Sequence, residues 1–223
     1  MDRRATNMQR RRERILEAAR RVIAEEGFDA LSTRKLAQSA GVTAPTLYNL
    51  IGSKAEILEA LELAAAQTIE DRLHVSDDRT PLGLAQAIVR ESVVVFAEDE
   101  AYYRAACVAG DRLLGQSPSG SLKLDARAVA LAQHVCAELV RMGALRGTIA
   151  SAELAAQMYR CYGACLREWA YGRMSLQEFG RQAMRGIALL LGADAVDTFR
   201  AQLLKLFNTL DEGYHVMEIA NET

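Results

Sequence analysis

The chain has 223 residues, half of them hydrophobic, a quarter charged and only three prolines; this is the profile of a helix-rich globular protein and excludes disordered and collagen-like classes. Its formal net charge of -2 hides a split near residue 54: residues 1–54 hold 11 Lys+Arg against 6 Asp+Glu (+5), leaving 16 against 23 (-7) for the rest. A basic head on an acidic body suits contact between the head and a polyanion.

The stretch from Met1 to Arg14 is basic and polar and lacks the apolar run of a signal peptide, and no later stretch holds about 18 consecutive apolar residues, so a cytoplasmic chain with no membrane segment is expected. From Met8, residues Ile15, Ala19, Val22 and Ile23 recur at helical spacing while Arg11, Arg14 and Arg21 take other faces, and Gly27 stops the helix. Phe28, Ala30 and Leu31 are placed to pack beneath it. Ser32 or Thr33 then caps a short second helix that runs to about Ala40. Gly41 supplies a left-handed turn, Thr43 a fresh cap and Pro45 a first-turn residue for a third helix to about Leu50. Ser53-Lys54-Ala55-Glu56 is a capping box that opens a long helix to about Val75.

After a polar break at residues 76–80, Thr80-Pro81 opens a helix through Phe96, and further helices are expected at about 101–114, 122–143, 151–172, 176–191 and 194–211. Ser175-Leu176-Gln177-Glu178 is a second capping box, followed by a broad apolar face of Phe179, Met184, Ile187, Leu190 and Leu191. No alternating strand pattern competes, and there is no internal repeat. The expected fold is all-α: an N-terminal three-helix domain over residues 1–54, with a basic arm at 1–12, followed by a larger helical domain over 55–223.

The stretch Thr33 to Leu50 reads as a helix-turn-helix. Ala37 is small where two helices cross, Gly41 makes the turn, and Leu36, Val42, Leu47 and Leu50 supply the contacts between helices. In that geometry the second helix enters the major groove, where Thr43, Pro45, Thr46 and Tyr48 offer hydroxyls and small apolar surfaces to bases and phosphates and Asn49 an amide. Arg34 and Lys54 suit backbone phosphates, which fix register, and Arg10-Arg11-Arg12 form a basic run that a phosphate backbone would attract.

From about Ile15 to Leu61 the chain resembles the TetR family of bacterial transcription regulators, through its Thr-x-Arg-like start, the Ala-Gly-Val turn, and the Thr-Leu-Tyr core followed by a Ser-Lys pair. The resemblance implies that Thr33, Arg34, Ala44, Pro45, Thr46, Tyr48, Asn49 and Lys54 touch a double-stranded DNA operator. Where the family usually has an aromatic or histidine late in the recognition helix, this chain has Asn49-Leu50-Ile51, and Leu50 is expected to pack inward.

Farther on, Glu168-Trp169-x-x-Gly172 and a helix ending Leu189-Leu190-Leu191 look like the family's C-terminal half. The resemblance there implies a homodimer through about 151–172 and 176–191, and a cavity for a small, largely apolar ligand. Candidate cavity residues are Phe96, Tyr102, Tyr103, Arg104, Cys107, His134, Met158, Tyr162 and Trp169, which combine apolar bulk with a few polar handles. It also implies a repressor released from a palindromic operator when ligand moves the helix at 53–75.

No cofactor is expected. His134 near Cys136 and His215-x-x-Glu218 make no complete ligand set for a metal. Cys107, Cys136, Cys161 and Cys165 show no disulfide framework, although Cys161 and Cys165, one helical turn apart, could answer to oxidants. Two other readings stand beside the ligand-released repressor. One is a DNA-binding regulator that responds to cysteine oxidation. The other is an all-helical enzyme, for which the chain offers no phosphate-binding glycine loop, no H-E-x-x-H and no G-x-S-x-G elbow.

Overall fold

In the computed structural model, residues 3–75, 78–114 and 121–210 are described. Among them, every regular element is helical: α1 (Arg3–Glu26), a 3-10 turn (Phe28–Ala30), α2 (Thr33–Ser39), α3 (Ala44–Leu50), α4 (Lys54–Val75), α5 (Pro81–Glu98), α6 (Glu100–Leu114), α7 (Ser121–Arg141), α8 (Ser151–Ala170), α9 (Leu176–Gly192) and α10 (Asp197–Thr209). None of these helices is long and apolar enough to cross a membrane. The fold is all-α, as the periodicity requires.

The helices gather into two compact units, one drawing its residues from 1–65 and 99–124, the other from 66–98 and 125–223. In the first unit, α1 buries Ile15, Ala19, Val22 and Ile23 against α2, α3 and α6 and leaves Arg11, Arg14 and Arg21 exposed. Each isoleucine removed from water contributes about 1.5–3 kcal/mol, which makes this face the organiser of the unit. The helix reaches back to Arg3, so Arg10, Arg11 and Arg12 lie within α1.

In the second unit, α9 packs against α5, α8 and α10 and buries Phe179, Ala183, Met184, Ile187, Ala188 and Leu191. Ser175 caps it, its hydroxyl accepting from the Glu178 N–H at 3.1 Å. Glu178 does not complete the reciprocal half of the box; its carboxylate is engaged by Arg181 and by the Gln182 amide. The Ser53 box is complete, with Ser53 N–H donating to Glu56 Oε2 at 2.7 Å and Glu56 N–H donating to Ser53 Oγ at 3.3 Å.

The last helix begins at Asp197 rather than at 194, because residues 194–196 are pinned to the loop after α7. Arg146 N–H donates to the Asp194 carbonyl at 2.8 Å and Val196 N–H to the Ala144 carbonyl at 3.0 Å. The fully buried Asp194 carboxylate accepts from the N–H groups of Gly147 (2.8 Å), Thr148 (3.1 Å) and Ile149 (3.3 Å), and from the Thr148 hydroxyl. Burial pushes this carboxyl upward, but those donors outweigh it and hold it below the ordinary carboxylate range.

Candidate nucleic-acid interface and ligand cavity

The helix-turn-helix is built by capping and a short apolar seam. Ser32 is the residue that caps α2, accepting from Lys35 N–H at 3.1 Å. Leu36 and Ala37 are buried beneath, and Gly41 (φ 63°) makes the turn, with Val42 N–H returning to the Ala37 carbonyl at 2.9 Å. This left-handed position suits glycine, which has no Cβ to clash. Thr43 caps α3, accepting from Thr46 N–H at 3.3 Å, and its hydroxyl lies 2.8 Å from that of Thr46.

Leu47 is the one fully buried side chain of α3, while Leu50 and Val42 are half-buried along the seam. Everything else is presented outward: Thr43, Ala44, Pro45 and Asn49 are exposed, Tyr48 is 65% exposed, and Thr46 is half-buried. An exposed tyrosine among small hydroxyl and amide groups is a surface with no fold-internal use. Thr33 and Arg34 are exposed at the start of α2. Lys54 is half-buried, its Nζ donating to the Asp29 carbonyl at 3.2 Å and lying 4.3 Å from the Phe28 ring centroid. It therefore ties the start of α4 to the 3-10 turn.

Four of the candidate cavity residues lie on α6 in the first unit. Tyr102 and Tyr103 are buried edge to face at 4.9 Å, under the guanidinium of Arg20, whose carbon lies 4.6 and 5.2 Å from their centroids. Arg20 also reaches Asp99 at 3.3 Å, so α1 and α6 are joined by an ion pair and a cation–π contact. Arg104 pairs with Glu100 at 2.9 Å. Burial, and then Glu62, push the Cys107 thiol up to about 12, so it stays protonated and inert.

The other five lie in the second unit. Phe96 and Trp169 stack at 5.0 Å, Phe179 lies 5.9 Å from Trp169, and Tyr162 meets Phe179 edge-on at 5.4 Å. Met158 is buried 3.5 Å from Cys136 Sγ, whose thiol burial raises to about 11. His134 is exposed.

Beside this aromatic cluster is a cavity of about 90 Å³. Ala66, Ile69 and Glu70 of α4, Ile88 and Ser92 of α5, Ala128, Leu131 and Ala132 of α7, Met158, Tyr159 and Tyr162 of α8, and Ile187 of α9 line it. Met158 and Tyr162 are thus brought together at a cavity, with Phe96 and Trp169 in the aromatic cluster next to it. Glu70, Ser92 and Tyr159 are lining residues that sequence reasoning missed. Glu70 had a signal: it continues the helical stripe Ala66-Ile69-Leu73, where a carboxylate is out of place.

Arg127 grips Glu70 with two bonds of 2.6 Å, from Nε to Oε1 and from Nη2 to Oε2, and also reaches the Gln67 amide oxygen. Ser92 Oγ donates to the Ile88 carbonyl at 2.7 Å and Tyr159 OH donates to Asp125. Burial and then the Asp125 bond push the Tyr159 phenol above its ordinary range.

On the same helix, the neighbouring Cys165 lowers the Cys161 thiol, and Cys161 raises that of Cys165. Among the described residues no three His, Cys, Asp or Glu side chains gather as a metal site; His215 and Glu218 lie outside them.

A capped helix-turn-helix at the head of an all-helical chain defines the class of protein. Residues 15–61 match the family described as bacterial regulatory proteins, tetR family. A stretch of 50 residues is 46% identical to the tetracycline repressor protein class D of Escherichia coli, a match covering 22% of this chain and 23% of that relative. The match therefore spans about a quarter of the relative's length.

Solved structures extend the likeness in fold to most of the chain. A TetR-family transcriptional regulator from Pectobacterium atrosepticum superposes with a TM-score of 0.66 at 22% identity, covering 88% of this chain and 99% of that one. SmeT, the repressor of the Stenotrophomonas maltophilia multidrug efflux pump SmeDEF, does so with a TM-score of 0.62 at 21% identity, covering 84% and 92%. Residues 15–61 thus match the tetR family of bacterial regulatory proteins, and most of the chain shares the fold of these solved structures.

Proposed function

We propose that this chain is a cytoplasmic, homodimeric transcription regulator, not an enzyme: a repressor that binds a palindromic DNA operator through α3 and leaves it when a small, largely apolar ligand enters the second unit. The observation that carries the reading is the outward face of α3, where Thr43, Ala44, Pro45, Tyr48 and Asn49 are exposed on a helix anchored by Leu47. A short helix held by one buried leucine and capped at its start can reach base edges. Arg34 and the exposed Arg10, Arg11 and Arg14 supply phosphate contacts.

Two copies related by a twofold axis, meeting through 151–172 and 176–191, would present two recognition helices to two half-sites. The functional division proposed is a reading head at 1–54 and a sensing and dimerising body at 55–223. The helix α4 belongs to both compact units, with residues 54–65 in one and 66–75 in the other, which supports it as the element that carries the ligand's effect. Ligand and operator then oppose each other by the same factor in both directions.

Selection of bound duplexes from a random DNA library tests this. The wild type should recover a palindrome that a Thr46→Ala/Tyr48→Ala variant does not. Failure of the folded, dimeric wild type to enrich any sequence at low and moderate salt would refute it.

One observation favours a second reading. Cys161 and Cys165 lie one turn apart on α8, the Cys161 thiol lowered by its neighbour, where oxidation could take the ligand's part. Operator release by oxidant that persists after all four cysteines are changed to serine would eliminate this version.

A further inference from the structure

We propose that the molecule taken by the cavity of the second unit is a small, uncharged compound of single-ring size that donates a hydrogen bond; this rests on the ligand-responsive reading above. The size follows from the volume. About 90 Å³ is less than the roughly 150 Å³ apolar cavity that admits a benzene ring, so one ring fits only as the walls give slightly. Met158 is the wall residue able to do so, being unbranched and flexible.

The charge follows from the one ionised side chain in the lining. Glu70 would attract a cation, but both its oxygens already accept from Arg127 at 2.6 Å. The Glu70–Arg127 fork therefore carries no net charge for a cationic ligand to neutralise, and an anionic one would face Glu70 across apolar walls such as Leu131 and Ile187. Burying an unpaired charge in such surroundings costs far more than burying a neutral ring.

The donor requirement follows from counting hydrogen-bond capacity. Ser92 has committed its only proton to the Ile88 carbonyl, and Tyr159 has committed its proton to Asp125. A hydroxyl has one donor and two acceptor lone pairs, so what these two groups keep for a guest is acceptor capacity. Glu70 likewise can only accept. A ligand with an O–H or N–H satisfies them, whereas one offering only acceptors faces the buried Ser92 and the half-buried Tyr159 and Glu70 without a bond.

Isothermal titration calorimetry of the full chain with phenol, toluene, benzoate and benzylammonium tests the inference with one ring and four polarities. Phenol should bind at least about tenfold more tightly than either ion and about fivefold more tightly than toluene. In a Ser92→Ala/Tyr159→Phe variant, phenol should lose most of its advantage over toluene, Glu70 keeping the remainder, with toluene unchanged. In Ala128→Leu, which fills the cavity, all binding should vanish while circular dichroism stays helical.

Benzoate or benzylammonium binding as well as phenol would overturn the charge assignment, and toluene equal to phenol in the wild type would overturn the donor assignment. Both results leave the cavity a ligand site. Wild-type phenol affinity in folded Ala128→Leu, or no binding of any of the four compounds, would remove the ligand reading of the cavity itself. Should Ala128→Leu fail to fold, the double variant decides: unchanged discrimination there would remove Ser92 and Tyr159 as the acceptors and overturn the donor assignment.

Discussion

The helices α3 and α9 are opposite solutions to the use of a surface. The seven residues of α3 bury only Leu47 and turn a tyrosine, a proline and an asparagine to solvent, whereas α9 buries Phe179, Ala183, Met184, Ile187, Leu191 and two further small residues against three other helices. One helix is held in place with its outside left to solvent; the other is consumed by the core around the cavity. Substitutions in the two should therefore fail in different ways: stability falls with α9 and its neighbours, recognition with α3.

The largest effect that would break this contrast lies at Trp169, fully buried and stacked on Phe96. Trp169→Ala should cost about 4 kcal/mol in urea denaturation; a loss under about 1 kcal/mol would show that the aromatic cluster is not the core of the second unit.

Asp194 comes next. Asp194→Ala strands three backbone N–H groups and the Thr148 hydroxyl and should cost about 3 kcal/mol by the same measurement. Because the folded carboxyl is held below its ordinary value of 3.8, its contribution is present above that value and is lost as pH falls through the lower, folded one. Acid titration followed by circular dichroism should accordingly show a shallower acid limb in Asp194→Asn than in the wild type, and an unchanged limb would contradict the hydrogen-bond assignment.

Smaller effects sharpen the comparison. Ser53→Ala breaks a complete capping box and Ser175→Ala only a single cap, so thermal melts should show a loss of about 1 kcal/mol for each, the former the larger. Equal melting temperatures for wild type and Ser53→Ala would mean that the box contributes nothing to α4. Smallest in stability is Tyr48→Ala, expected to change unfolding by no more than about 0.5 kcal/mol because the ring is 65% exposed.

The head was legible in the sequence because its signals are local. Ser32, Gly41 and Thr43 act within a few residues of themselves, and the i, i+3, i+4 spacing of Ile15, Ala19, Val22 and Ile23 names its own buried face. The helix order was legible for the same reason. The start of α10 was not, since Asp194 is held by the 147–149 loop, far off in sequence.

The cavity was the least legible part. Five helices contribute to it, and small or charged residues such as Ala128, Ser92 and Glu70 line it beside Tyr159 and Tyr162, whereas Phe96 and Trp169, which draw attention in a sequence, are not in its lining. The separation of Tyr102, Tyr103, Arg104 and Cys107 into the first unit likewise depends on where α6 packs. Periodicity gives a helix a buried face without saying against which neighbour.

The central claim is that the outer face of α3 reads DNA while contributing little to stability. Its most direct test is the affinity of Thr46→Ala/Tyr48→Ala for the duplex selected by the wild type, taken together with its melting temperature. Affinity should fall by about 30-fold or more, with a melting temperature close to that of the wild type. A folded double variant that holds the duplex as tightly as the wild type would contradict it.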